Sequence, residues 1–365
     1  DKYKKIAVIG DNAVREQALG GVGAGVKTLY EVTPLEGLLK QLSGTDAQVE
    51  WAQGYRAFSK HERETRVSPY TKADPKLMSE AVQLAKKSDL VIFVAGDNRE
   101  VETEGSDRKA ITLPMGQDEL LKALAAVNPN IVTVLVTGGP LDLRVVDQAS
   151  PAILVSWFNG TEGGNALADV LLGKISPSGK LPFTFPIRLE DSPAYSLKVY
   201  PQDERQKQDD IFVNLVDEKE TDQKSGPTAD YAEGIFVGYR WYDTKHVPVQ
   251  YPFGHGLSYT TFKYSDLQVK ADNEKLYVEL NLDNTGKRSG EEVVQISVSR
   301  PELKGFQRIA LQADESKSVK IEIPLEKLRH WDEAANDWKL EPGAVEVQAG
   351  GSSQDIKLNQ TIDIK

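Results

Sequence analysis

The sequence contains no cysteine. That excludes a disulfide scaffold, a thiolate zinc site, an iron–sulfur cluster and a cysteine nucleophile. Histidine is scarce as well: His61, His246, His255 and His330 are widely scattered, which argues against a histidine-rich metal centre. Basic residues are the minority, with Lys+Arg 44 against Asp+Glu 55. The resulting net charge of −11 has the wrong sign for gripping nucleic-acid phosphates or anionic lipid. No run approaches the roughly 18 apolar residues of a membrane span. There is no initiator methionine and no signal-peptide pattern. The chain opens Asp1-Lys2-Tyr3-Lys4-Lys5 and enters an apolar run at once, so it reads as a piece of something longer or a processed form. Its 365 residues suggest two domains at roughly 150 per domain, each able to bury a core.

What is present falls into two patterns. Residues 1–190 alternate strand and helix. Short apolar runs at Lys5–Gly10, Ala47–Gly54, Asp89–Gly96, Asn130–Gly138 and Ala152–Phe158 read as buried parallel strands. Between them lie helix signals. Thr33-Pro34-Leu35-Glu36 is a capped start, Asp74-Pro75 is another, and helical stretches follow at 115–127, 143–149 and 160–173. Five strands separated by helices imply an α/β fold with a doubly wound, mostly parallel sheet. Residues 191–234 are polar and aperiodic, a linker or surface excursion. Residues 235–365 switch to period-two alternation, as in Tyr277-Val-Glu-Leu-Asn-Leu and Val319-Lys-Ile-Glu-Ile, with turn signals between the runs. That pattern predicts an all-β sandwich.

In open α/β sheets, ligands bind beyond the carboxyl ends of the strands. One such loop differs from the rest: the third strand runs into Gly96-Asp97-Asn98-Arg99-Glu100-Val101-Glu102-Thr103-Glu104-Gly105-Ser106-Asp107-Arg108-Lys109. A solvated charged loop is the bland reading of such a run. Carboxyls crowded together favour their protonated forms, which a general acid needs near neutral pH, while Arg108 pulls the other way. The residues alone therefore offer a candidate acid/base site and nothing more specific. A second stretch, Gly20-Gly-Val-Gly-Ala-Gly25, invites a dinucleotide reading. A dinucleotide fingerprint needs its glycines directly after the first strand, and these come some ten residues after Gly10, so the stretch reads as a flexible loop. No Gly-x-Ser-x-Gly elbow is present for a Ser-His-Asp hydrolase.

The segment Glu102-Thr-Glu-Gly-Ser-Asp-Arg108, followed by Leu113-Pro114 and Gln117, resembles a loop of the family 3 glycoside hydrolases, the β-glucosidase and β-xylosidase group. Trp157-Phe-Asn-Gly-Thr-Glu-Gly-Gly164 and Pro177-Ser-Gly-Lys-Leu-Pro-Phe-Thr-Phe-Pro186 resemble the same family's C-terminal α/β domain. Tyr231–Asp243, Tyr251–Phe262 and Leu303-Lys-Gly-Phe306 resemble its entry into a fibronectin type III-like domain. The resemblance spans essentially the whole chain in the expected order.

The resemblance implies the C-terminal part of a retaining exo-β-glycosidase, foremost a β-glucosidase, acting on an oligosaccharide or β-glycoside. A β-xylosidase and a non-catalytic carbohydrate-binding or structural module are the alternatives. An N-terminal (β/α)8 barrel, from the same precursor or a separate chain, would carry the nucleophilic aspartate. This chain would supply the acid/base, with Glu104 first and Glu102 as the alternate. Asp107, Arg108 and Trp157 are the candidates for contact with substrate, although Asp107 and Arg108 read foremost as shaping the loop. Trp157 and Phe158 read foremost as packing residues and second as a sugar platform, and Tyr239, Trp241 and Tyr242 as a seam between domains. The Ser88-Asp89 and Ser265-Asp266 pairs read as local structure. No cofactor or metal is implied. The resemblance carries a periplasmic or secreted location and leaves a homodimer open.

Overall fold

The five apolar runs become the five strands of one parallel sheet in the computed structural model of the chain, which describes residues 2–198, 231–299 and 302–365. Most of the polar stretch 191–234 lies outside the described residues. The strands are β1 (Lys5–Ile9), β2 (Gln48–Ala52), β3 (Leu90–Gly96), β4 (Ile131–Val136) and β5 (Ala152–Val155), in the order β2-β1-β3-β4-β5. Ile6 stands opposite Val49 on one side and Leu90 on the other, and Val91 stands opposite Ile131. Between and after these strands the chain forms helices α1 (Pro34–Leu42), α2 (Lys60–Glu64), α3 (Pro75–Lys86), α4 (Gln117–Ala125), α5 (Arg144–Ala149) and α6 (Gly163–Leu171).

Strand alternation sends successive side chains to opposite faces, and here both faces are covered. Ile6, Val8, Ile92, Val94, Val134 and Val136 pack with Leu38 of α1 and with Leu167 and Ala168 of α6. The intervening residues Ala7, Ile9, Val91 and Phe93 are equally buried, as are Ala81 and Leu84 of α3 and Leu120 and Leu124 of α4. Helix α1 starts where the sequence signals it. Thr33 and Glu36 close a reciprocal capping box, with Pro34 in the first turn. Where α1 meets α6 the backbones nearly touch: a Cβ on Gly37 would lie 2.1 Å from the Gly164 carbonyl oxygen. Helix α2 escaped the periodicity reading, although Ser59 and Glu62 carry the same capping-box spacing.

The chain divides into two compact units, the first running to Leu172 and resuming at Pro186, the second holding Gly173–Phe185 and Glu233–Lys365. Within the second unit, one antiparallel sheet runs in the order Glu302–Leu311, Gly290–Val298, Gly343–Gly350, Ile356–Ile364. The other runs Ser316–Pro324, Lys275–Asn284, Phe262–Ala271. Leu276, Val278, Leu280 and Leu282 alternate inward to meet Val294, Ile296, Val298, Ile321, Ile323 and Val347, the two-sheet core of a sandwich. The segment Gly173–Phe185 is tied into this unit by Lys180, whose ammonium pairs with Glu292 at 2.8 Å, and by Leu181, whose N–H donates to the His255 carbonyl. Among the described residues no helix is long and apolar enough to cross a membrane.

Candidate active site

The strand order reverses at β1 and β3, so their carboxyl ends flank the crevice where an open α/β sheet takes its ligand. Strand β3 ends at Gly96, whose φ of 103° and close approach to β4 both require glycine, because a Cβ there would lie 2.1 Å from the Val136 carbonyl oxygen. The buried Gln117 amide then brackets this residue. Its Oε1 accepts from the Gly96 N–H at 2.7 Å and its Nε2 donates to the Gly96 carbonyl at 2.9 Å. Gln117 thus sets the direction in which the charged loop leaves the sheet.

Most of the charges of that loop are engaged within the first unit itself. Arg99 donates through Nε to the Gln17 carbonyl at 2.7 Å and lays its guanidinium over the Phe158 ring, 4.2 Å from the centroid. Glu100 pairs with Arg63 at 2.9 Å. Asn98 donates to the Phe58 carbonyl and accepts from the Glu100 and Val101 N–H groups. Arg108 reaches back to Asp97 at the loop's start, Nη1 to Oδ2 at 3.1 Å. Glu102 is half-buried, and its Oε2 accepts from the Gly138 N–H at 2.8 Å just past the end of β4.

Asp97 is 1% exposed. Burial pushes its carboxyl up to about 7, against the pull of the Arg108 guanidinium and with the further push of the Glu102 carboxylate. Desolvation therefore outweighs the ion pair. Asp97, Glu102 and Arg108 form one cluster under the loop, with Gly138 and Gly139 leaving it room. The sequence reading missed Asp97 as a site residue and missed the Gly138-Gly139 turn. Both sit at carboxyl ends of strands, so that position was the available signal.

Glu104 stands apart. It lies on the turn Thr103–Ser106, where Gly105 takes a φ of 74°, and its side chain is exposed. Its Oε2 accepts one hydrogen bond, from the Gly23 N–H at 2.9 Å, so the glycine-rich stretch lies beside it. Asp107 is exposed on the same loop. Trp157 follows β5 with a φ of 60° and is half-buried, lining a crevice with Asn12, Arg15, Ser156 and Asn159. The ring of Phe158 is already covered by Arg99. Of the sequence-read candidates, the loop thus brings Glu102 and Arg108 into one network and leaves Glu104 and Asp107 turned to solvent. Ser88-Asp89 and Ser265-Asp266 serve structure: Asp89 Oδ2 accepts from the Lys4 and Lys5 N–H groups, and Ser265 opens a β-bulge. Among the described residues no group of three or more His, Asp or Glu side chains is placed to hold a metal ion.

A parallel α/β unit with a carboxylate-bearing loop at its switch point, followed by a two-sheet sandwich, is the architecture the sequence resemblance implied. Comparison with known proteins agrees. Residues 1–239 match the glycosyl hydrolase family 3 C-terminal domain, and residues 290–353 match a fibronectin type III-like domain. A β-glucosidase of Bacteroides ovatus is 38% identical over 379 aligned residues, covering 99% of this chain and 47% of that protein. An exo-α-(1→6)-L-arabinopyranosidase of Bifidobacterium longum is 35% identical, covering 97% of this chain and 43% of that protein. The crystal structure of a family 3 β-glucosidase from Bifidobacterium adolescentis superposes with a TM-score of 0.83 at 34% identity, over 100% of this chain and 49% of that one. The chain belongs to glycoside hydrolase family 3. It spans about half the length of the relatives it matches.

Proposed function

We propose that this chain is the C-terminal part of a retaining, exo-acting β-glucosidase and that Glu104 is its general acid/base. The observation that carries the assignment is the contrast within one loop. The Glu102 carboxylate is tied to the Gly138 N–H and the Asp97–Arg108 pair, whereas Glu104 presents its carboxyl to solvent at the loop's tip. A proton donor that serves a leaving group must be reachable.

In this reading the nucleophile is an aspartate of an N-terminal (β/α)8 barrel, about 5–5.5 Å from the Glu104 carboxyl when the site is assembled. That carboxylate attacks the anomeric carbon while Glu104 gives its proton to the departing glycosidic oxygen, leaving a covalent glycosyl ester. Glu104, now ionised, takes a proton from water as the water oxygen attacks the same carbon and the ester bond breaks. The sugar leaves with retained configuration, and no metal or cofactor enters either step. Arg108 and Glu102 act by holding the loop, so substrate contact from this chain falls to Asp107 and Trp157.

The Bifidobacterium longum relative supports a second reading, a pentopyranosidase, because an α-L-arabinopyranosidic bond is equatorial like a β-glucosidic one and its sugar lacks the hydroxymethyl group. One assay separates these readings: hydrolysis of 4-nitrophenyl β-glucoside, β-xyloside and α-L-arabinopyranoside by the whole protein and by this chain alone. The expected result is turnover by the whole protein, fastest on the glucoside, and none above background by the chain. Turnover by the chain alone would overturn the shared-site reading. A whole protein inactive on all three would favour a non-catalytic module.

A further inference from the structure

The glycine-rich stretch Gly20–Gly25 is the one sequence motif that the proposed mechanism leaves without a task. We infer that this loop is a positioning element for Glu104, with the Gly23 amide as the donor that fixes the carboxyl's orientation. The inference rests on the assignment of Glu104 as the acid/base. Gly23 donates its N–H to Glu104 Oε2 at 2.9 Å, and a Cβ on Gly23 would stand 2.7 Å from that same oxygen. Any side chain at position 23 would therefore displace the carboxyl. The turn at Val22–Ala24 closes with the N–H groups of Ala24 and Gly25, which donate to Gly21 and Val22 carbonyls, so the Gly23 N–H is directed outward.

The loop carrying this donor is anchored at its base. Glu31 accepts from the Gln17 and Ala18 N–H groups at 2.5 and 2.9 Å, and Val26 donates back to the Ala18 carbonyl at 2.8 Å. Gly20 lies on the Arg99 side chain so closely that a Cβ would be 2.6 Å from Arg99 Cβ, and Arg99 itself bonds the Gln17 carbonyl. Arg99 belongs to the loop that carries Glu104, so donor and acceptor share one mounting. A carboxyl that must give a proton and then take one has to keep one oxygen aimed at the reacting atom. With Oε2 engaged by the Gly23 N–H, Oε1 is the oxygen that carries the proton.

The test is the leaving-group dependence of the whole protein. Gly23→Pro deletes the N–H, and Gly23→Ala keeps it but crowds Oε2. Both are expected to lower kcat/KM on phenyl glycosides about tenfold or more, since misplacing a proton donor by about 1 Å costs on that scale. On 2,4-dinitrophenyl glycosides, whose leaving group needs no proton, the change in kcat/KM is expected to stay within about twofold, because that ratio reads the first step and not the later one in which Glu104 acts as base. Val22→Asn alters an exposed side chain at a positive φ that asparagine tolerates, and is expected to match the parent protein. If Gly23→Pro does not fold, Gly23→Ala reads the same quantity. Equal losses of kcat/KM across leaving groups, or no loss, would overturn the inference. A Glu104→Ala protein that itself showed no leaving-group dependence would instead overturn the assignment on which the inference rests.

Discussion

Glu102 and Glu104 are two residues apart in the sequence and belong to different environments in the fold. Beneath them Asp97 titrates near 7, above the roughly 3.9 of an unfolded aspartate. The native protein therefore binds more protons than the unfolded chain between those values, and stability falls as pH rises through that window. The contribution is fully present below about pH 4 and is lost above the native value. Asp97→Asn, which mimics the protonated group, is expected to flatten this dependence. Compared with the parent, it should lose on the order of 2 kcal/mol less between pH 5 and pH 7 in denaturant unfolding. A variant with an unchanged pH slope would contradict the buried-acid reading. At this scale the sequence singles out the charged loop and stops short of separating its acids. Residue spacing does not reveal that the Gly138 N–H claims Glu102, because that bond joins segments 36 positions apart. The role of Gly23 is hidden for the same reason, since its partner lies 81 positions away.

The elements were largely legible, and the reason is local. Strands β1, β3 and β4 are buried on both faces, so each is a continuous apolar run. Helices α1 and α3 begin at capping residues with proline behind them. Helix α2 was missed because five residues are too few to show a period. What no local pattern conveys is how closely elements approach. Gly37 is a poor helix former, yet α1 uses it because α6 leaves no room for a Cβ. Gly37→Ala brings about 1 kcal/mol of helix propensity, and the clash it creates costs roughly 1–3 kcal/mol or more. The clash is expected to win, giving a net destabilisation in thermal or denaturant unfolding. A stabilised variant would mean that the two helices are not in backbone contact.

At the scale of the molecule, a family 3 C-terminal α/β unit and a fibronectin type III-like sandwich account for the chain, and the chemistry proposed for the first unit rests on its carboxylate loop. The chain spans about half of its relatives, and in the proposed reading the acid/base it offers is one of the two carboxyls that retaining hydrolysis requires. That leaves a single decisive measurement: azide rescue in the whole protein with Glu104→Ala compared with Glu102→Ala. Azide needs no general base, so it enters the space left by a missing acid/base carboxylate and captures the glycosyl ester as a β-glycosyl azide. The expected result is rescue of Glu104→Ala turnover on a 2,4-dinitrophenyl glycoside, with that azide as product, and no rescue of Glu102→Ala. Rescue of Glu102→Ala, with Glu104→Ala left unaffected by azide, would contradict the assignment and move the role to Glu102.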